Sequence, residues 1–467
     1  MKRIGLLFFA IFFIISNFYA QSTFPNYYSG SILVMSQEIQ IELDFSLKSD
    51  TLVGIINIPI QGIKNMQLKK VTKINNKLTF EILPPPQNGV FEGQISADSI
   101  YGSFIQMGFK GTFSVTKTDR PVEDTTHVIK PYIEDEVTFK NGEITLAGTL
   151  SYPSKEGSFP AVILISGSGA QNRDSDIFGF KLFSIAADYF TRNGIAVLRY
   201  DDRGIGGSSG NVSQSTTEDF ANDIMAGYEL LKTKSFINPK KIGLYGHSEG
   251  GIVAPIAASL LNDAAFVVLV SAPGVSGDQV ILKQLAEIMK AENADDSSIV
   301  YQVNNYKEVF DLLKNGSEED TIKKLLYKQA SKEINNLPDE NKKTIKDLES
   351  TINQTVDQKL KQYKSIWFNF FVNYDPAPTL QNVKCPVLLL FGGKDKQVDI
   401  EQNRKVLEDN LKIGGNTNVK TILFENANHL YQEAKTGSPS EYAKLKKEYV
   451  TGFLEQVTEW IINTTAK

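Results

Sequence analysis

The pentapeptide Gly246-His247-Ser248-Glu249-Gly250 limits what this chain can fold into more than any other stretch of it. It follows the apolar run Ile242-Gly243-Leu244-Tyr245 and precedes a helix-like segment from Ile252 to Ala258. A Gly-x-Ser-x-Gly between a strand and a helix predicts a sharp turn of the nucleophile-elbow kind. The serine backbone is strained at such a turn, and side chains two residues to either side would collide, so both flanks are glycine. The turn lifts the hydroxyl above a sheet and sets it at the N-terminus of the next helix, where developing negative charge is favoured.

A serine so placed needs a base, and the chain has only three histidines, His127, His247 and His429. His127 sits in the polar connector Glu123-Asp124-Thr125-Thr126-His127 and reads as a solvated loop residue. His247 adjoins the serine, and the elbow points neighbouring side chains away from the hydroxyl, so it packs or lines the site. That leaves His429, just after the strand-like run Val419 to Phe424, where a loop can deliver an imidazole. The acid is expected between serine and histidine along the chain. Asp395 fits best, because it follows the uninterrupted apolar run Pro386 to Phe391 and Gly392-Gly393-Lys394, at the C-terminal end of a strand where open α/β sheets hold their sites. Asp399 is the nearest competitor and needs a longer loop.

From about residue 134 to its end the chain resembles an α/β-hydrolase, with strand, elbow, acid and histidine in that order. The resemblance extends to Ala161-Val162-Ile163-Leu164-Ile165 with Ser166-Gly167-Ser168-Gly169, similar to the strand and loop that supply an oxyanion-hole amide. It extends also to Asp201-Asp202-Arg203-Gly204-Ile205-Gly206-Gly207-Ser208, similar to the arginine-glycine loop of many bacterial esterases. Ser166 stands where the usual pattern has histidine, which leaves Ser168 and Gly167 as alternative donors, with Glu249 supplying the other amide. The family implies a mostly parallel sheet flanked by helices, with a helical lid insertion. It also implies that Ser248 attacks an acyl carbonyl, His429 moves its proton and Asp395 holds the imidazole. Arg203 either binds a substrate carboxylate or pairs with Asp201 or Asp202 to brace its loop. Gln171-Asn172-Arg173-Asp174 is expected to shape the rim of the site.

The remainder of the chain divides by texture. Residues 1–20 have the basic start Lys2-Arg3, an apolar run from Ile4 to Ile15 and a small residue, Ala20, before Gln21, the pattern of a signal peptide too short to span a bilayer. Such a leader on a chain whose only cysteine is Cys385 points to a bacterial periplasm or exterior. From 22 to 118 period-two alternation dominates, as in Ile39, Ile41, Leu43, Phe45 and Leu47. Asp50-Thr51-Leu52-Val53-Gly54 recurs in type as Asp98-Ser99-Ile100-Tyr101-Gly102. This predicts a small antiparallel β domain of six to eight strands, a sandwich or partial barrel, with Pro84-Pro85-Pro86 and Asn88-Gly89 as a loop. It packs on the catalytic part or binds a ligand of its own. Residues 119–133 read as a linker and 134–467 as the catalytic domain.

Within that domain a block at about 277–375 is helical in period, with Ile281, Leu285, Ile288 and Met289 on one face, and is expected to be a lid. Trp367, Phe368, Phe370 and Phe371 line an acyl pocket or form lid core. A net charge of −5 over 467 residues implies no nucleic-acid surface. Separate assignments for all three histidines leave no metal ligand set, and no metal or organic cofactor is expected. The reading is a serine esterase acting on a small-molecule ester of small or medium acyl length. Its alternatives are a lidded serine aminopeptidase and a binding protein whose hydrolase domain has degenerated. After removal of the leader no segment is apolar enough to stay in a membrane.

Overall fold

The computed structural model describes residues 24–466, apart from 35–36, 59–62, 83–88, 107–108, 121–129, 338–341, 343–344 and 346. The leader, His127 and the proline run at 84–86 lie outside the described residues. The chain divides into two compact units, one holding the strands between Tyr27 and Lys117, the other every element from Ile133 onward.

The first unit is a single antiparallel sheet of nine strands, more than the six to eight the alternation predicts. The extra strands are Ile63–Gln67 and Lys69–Ile74, short and largely polar, so no hydrophobic alternation marks them. They end the sheet on opposite edges yet are consecutive in sequence, joined through Leu68, whose amide donates to the Gly54 carbonyl at 2.8 Å. The sheet therefore rolls until its edges meet, as a barrel does. Phe45, Phe80, Phe91 and Phe113 fill the interior, with Phe80 stacked on Phe91 at 4.5 Å. Ile41, Leu43 and Phe45 point inward as their alternation requires, whereas Leu47 is 59% exposed at the strand end. The two similar Asp-led segments each begin a strand, Thr51–Ile58 and Ser99–Gln106.

The second unit is built on eight strands: β1 (Ile133–Asn141), β2 (Ile144–Tyr152), β3 (Phe159–Ile165), β4 (Ala196–Tyr200), β5 (Ile237–His247), β6 (Val267–Val270), β7 (Val387–Gly392) and β8 (Val419–Phe424). Their order across the sheet is β1-β2-β4-β3-β5-β6-β7-β8. β1 and β2 are antiparallel to their neighbours, and all pairs from β4 to β8 are parallel. Helix α1 (Leu182–Arg192) joins β3 to β4, α2 (Thr217–Lys232) joins β4 to β5, and α3 (Gly250–Leu260) joins β5 to β6. Among the described residues six further helices fall between β6 and β7, the first five being α4 (Gly277–Ala291), α5 (Asp296–Lys314), α6 (Glu319–Asn335), α7 (Leu348–Tyr363) and α8 (Ile366–Asn373). They are followed by α9 (Ala377–Asn382), and the chain closes with α10 (Ile400–Ile413) after β7 and α11 (Phe453–Thr465) after β8.

Burial on both faces explains why the central strands read as unbroken apolar runs. In β7, Val387, Leu389 and Phe391 pack toward α2, α3 and α10, while Leu388 and Leu390 pack toward α1 and α11. The lone Cys385 thiol, just before β7, is half-buried, and burial pushes its pKa up to about 11. Because Leu389 is fully buried, Leu389→Ala should cost about 2–5 kcal/mol of stability. Chemical denaturation followed through the second unit checks this, and a loss well under 1 kcal/mol would mean the site is not close-packed.

Candidate active site

Parallel strands direct their C-terminal ends to one edge, and the loops after β3, β5, β7 and β8 bring Ser166–Gly169, Ser248, Asp395 and His429 to that edge. Ser248 sits between β5 and α3 with φ 55°, the left-handed region that costs a non-glycine residue about 1–3 kcal/mol. Its amide donates to the Val270 carbonyl at 2.9 Å, pinning the turn to β6. A Cβ on Gly246 would lie 2.0 Å from the Gly250 carbonyl oxygen, and one on Gly250 would lie 2.4 Å from that of Ile165. The steric demand expected of both glycines is thus met by backbone, which cannot give way. Gly167 is equally confined, since its Cβ would stand 2.9 Å from the Ser248 Cβ.

His429 is buried, and its Nδ1 lies 2.9 Å from Asp395 Oδ2. The other oxygen, Oδ1, accepts from the amides of Gln397 at 2.8 Å and Val398 at 2.9 Å. Burial pushes the Asp395 pKa up, but the charge and hydrogen bond of His429, the Ser271 hydroxyl and the Val398 amide outweigh it and hold the carboxyl below its ordinary value. Asp399, the competitor, is engaged elsewhere: it caps α10 by accepting from the Gln402 amide at 2.9 Å. His247 is neutral, because burial and then the nearby His429 lower its pKa to about 3. Its Nε2 lies 2.9 Å from the His429 carbonyl oxygen, which can only accept, so Nε2 carries the proton. His247 therefore steadies the backbone of His429. Ser248 and His429 face one cavity of about 630 Å³, without a hydrogen bond between hydroxyl and imidazole among the described residues.

That cavity is walled by Ser168, Gly167 and Glu249 on the strand side and by α4, α5, α7 and α8 on the other. Ile281, Leu285 and Ile288 face it as their period predicts, and Met289 does not; Trp367, Phe368 and Phe371 face it, while Phe370 stacks on Tyr374 at 5.2 Å. Glu249 has a part the sequence reading did not give it. Its Oε1 accepts from Thr217 Oγ1 at 2.9 Å and Trp367 Nε1 at 2.8 Å, tying the residue after the serine to α2 and α8. A carboxylate directly after the serine, inside the elbow, is the signal the sequence offers. Burial raises the pKa of this carboxyl.

Arg203 holds Asp223 of α2 with two bonds, 2.7 and 2.8 Å, instead of Asp201 or Asp202. Asp201 is taken by Arg173, at 2.8 Å from Nη2, and Arg173 also meets Glu136. Asp174 pairs with Arg199, so of the Gln171 to Asp174 cluster only Gln171 reaches the cavity wall, Arg173 and Asp174 brace β1, β2 and β4, and Asn172 accepts from the Asp174 amide. Asp202 accepts from Ser166 Oγ at 2.7 Å and the Gln171 amide at 2.8 Å, which explains the serine at the family's usual histidine position. Burial raises the Asp202 pKa to about 7. Among the described residues no group of histidine, cysteine and acid side chains is arranged to hold a metal ion, and no helix is long and apolar enough to cross a membrane.

A mostly parallel sheet with helices on both faces and a serine elbow after β5 is the architecture of the α/β-hydrolase fold. Residues 180–320 match the family described as "Serine aminopeptidase, S33". Over 343 residues the chain is 26% identical to esterase EstD of Thermotoga maritima, which spans 72% of this chain and 71% of that protein. Among solved structures, an esterase of Pyrococcus furiosus aligns with 74% of this chain and 96% of its own, at 17% identity and TM-score 0.43. Proline iminopeptidase of Mycobacterium smegmatis aligns with 71% of this chain and 100% of its own, at 15% identity and TM-score 0.41.

The raised Asp202 pKa makes a stability prediction. Between about pH 4 and 7 the folded protein keeps the Asp202 proton and the unfolded chain has lost it, so stability falls with rising pH on account of this group. Asp202→Asn, which keeps an acceptor for the Gln171 amide, should therefore gain stability relative to the parent on going from pH 4 to pH 8. Denaturant midpoints of both proteins at the two values check it; a difference that is flat with pH, or that turns against the variant, contradicts it.

Proposed function

We propose that this α/β-hydrolase cleaves carboxylic esters of small or medium acyl length through an acyl-enzyme, with Ser248, His429 and Asp395 as its triad. The observation that carries this reading is the buried His429–Asp395 pair beside a left-handed Ser248 that opens on a largely apolar cavity. With Nδ1–H donated to the ionised Asp395, His429 Nε2 is left bare to accept a proton. Ser248 Oγ attacks the acyl carbonyl and its proton passes to Nε2. The tetrahedral oxyanion is held by backbone amides at the α3 N-terminus and the β3 loop, which we assign to Glu249 and Ser168. Collapse breaks the bond to the alcohol oxygen, which takes the proton from Nε2. Water then gives a proton to Nε2 and attacks the acyl-enzyme, and the second adduct collapses by breaking the bond to Ser248 Oγ, which takes the proton back from Nε2 as the acid leaves.

Ester hydrolysis is favoured over aminopeptidase action by the charge of the cavity. An aminopeptidase needs an acid to hold the substrate ammonium, and the single acid in the described wall, Glu249, already accepts from Thr217 and Trp367. The similarity to an esterase supports the same choice, whereas the partial match to serine aminopeptidases keeps peptide hydrolysis as the second reading. The helices α4 to α8 act in this reading as a lid whose Trp367, Phe368 and Phe371 contact the acyl group.

Hydrolysis of p-nitrophenyl acetate, butyrate and octanoate, against aminoacyl p-nitroanilides, tests the assignment. The esters should be consumed and the anilides spared, with Ser248→Ala or His429→Ala lowering ester kcat by about 10⁴-fold or more. Faster anilide cleavage would move the assignment to a peptidase, and undiminished activity in Ser248→Ala would exclude the triad.

A further inference from the structure

The cavity wall is largely apolar along α4 and α8 but changes character where α5 and α7 close it. Lys359, Gln362 and Tyr363 stand at i, i+3 and i+4 on α7 and so share one face of that helix. Tyr306 meets them from α5, and all four side chains belong to the cavity wall. Lys359 is the one cation in the described wall. Among the described residues its Nζ has a single partner, Glu333 Oε2 at 3.5 Å, longer than an ordinary N–H···O bond of about 2.7–3.2 Å. Among the described residues, the hydroxyls of Tyr306 and Tyr363 and the Gln362 amide have no hydrogen-bond partner, although Tyr363 is only 5% exposed. Burial, and after it the field of nearby charged and phenolic groups, pushes both phenols up, so each keeps its proton and can donate.

Polar groups at the end of an apolar cavity cost free energy unless something bonds to them. An ammonium, two hydroxyls and an amide without bonded acceptors are matched by an anion with several acceptor oxygens. An ammonium-bearing substrate is disfavoured there by Lys359. We infer that the substrate is a monoester of a dicarboxylic acid, whose free carboxylate binds Lys359, Tyr306, Tyr363 and Gln362 while the ester carbonyl lies at Ser248. This rests on the ester-hydrolase reading above and specifies its acyl group. The methylenes between the two ends lie along Ile281, Leu285 and Phe310. A volume of about 630 Å³ holds a small or medium chain of this kind.

The experiment compares kcat/KM for mono-p-nitrophenyl adipate with that for its methyl-capped diester, which has the same chain without the charge. The full-length protein should prefer the free acid about tenfold or more, the effect of one charge-assisted contact. Lys359→Gln should bring the ratio close to one. Glu333→Gln, which removes the competing carboxylate, should raise it, a direction that loss of folding cannot produce. A ratio at or below one in the parent protein, or a ratio that Lys359→Gln leaves unchanged, would overturn the inference. Turnover of the capped diester that depends on Ser248 would then leave the ester-hydrolase reading standing, whereas no turnover of either ester would remove both.

Discussion

The left-handed backbone of Ser248 is the constraint on which the site depends. It persists because the Gly246 and Gly250 positions meet carbonyl oxygens where any Cβ would lie, and because the Ser248 amide is bonded to Val270 of the adjacent strand. Relaxing the turn would break that bond and pull α3 away from the sheet. The strain of roughly 1–3 kcal/mol is thus imposed by packing, and its product is a hydroxyl raised above the sheet edge with a helix N-terminus behind it. The loop after β3 completes the confinement, since Gly167 leaves room for Ser248 only as a glycine.

Around this turn the protein places two carboxyls with different fates. Asp395 stays ionised although buried, because His429, the Ser271 hydroxyl and a backbone amide stabilise its charge. Asp202, under the β3 loop, has fewer compensating donors, so burial prevails and its pKa rises to about 7. With burial common to both, the charge of His429 beside Asp395, against the like charges of Glu249 and Asp201 near Asp202, together with the donors on each oxygen, separates the charged orienting acid from the one pushed up to about 7. Burial also raises the Glu249 carboxyl, and its bond to Trp367 carries the geometry of the elbow into the inserted helices.

Much of this arrangement is legible in the sequence because its signals are local. The glycines of the elbow, the apolar β7 run before Asp395 and the short strand before His429 each state their place within about ten residues. Asp399 is separated from Asp395 only by what it caps, which requires the start of α10 to be known. Pairings between distant residues are where local reasoning stops. Arg203 has two acids beside it in sequence, yet it reaches Asp223 on α2, since Arg173 and Ser166 occupy the two neighbours. Lys359 looks like any lysine of a charged helix until α5 is seen to bring Tyr306 to the same cavity wall. The two polar strands of the rolled sheet are hidden for the same reason, because closure of a sheet, and not hydrophobic period, makes them strands.

The most direct test of the central claim is to treat the protein with a serine-directed fluorophosphonate and map the adduct by peptide mass spectrometry. The account predicts one adduct, on Ser248, abolished in His429→Ala. A protein that stays unlabelled while folded, or one labelled at a serine other than Ser248, would contradict it.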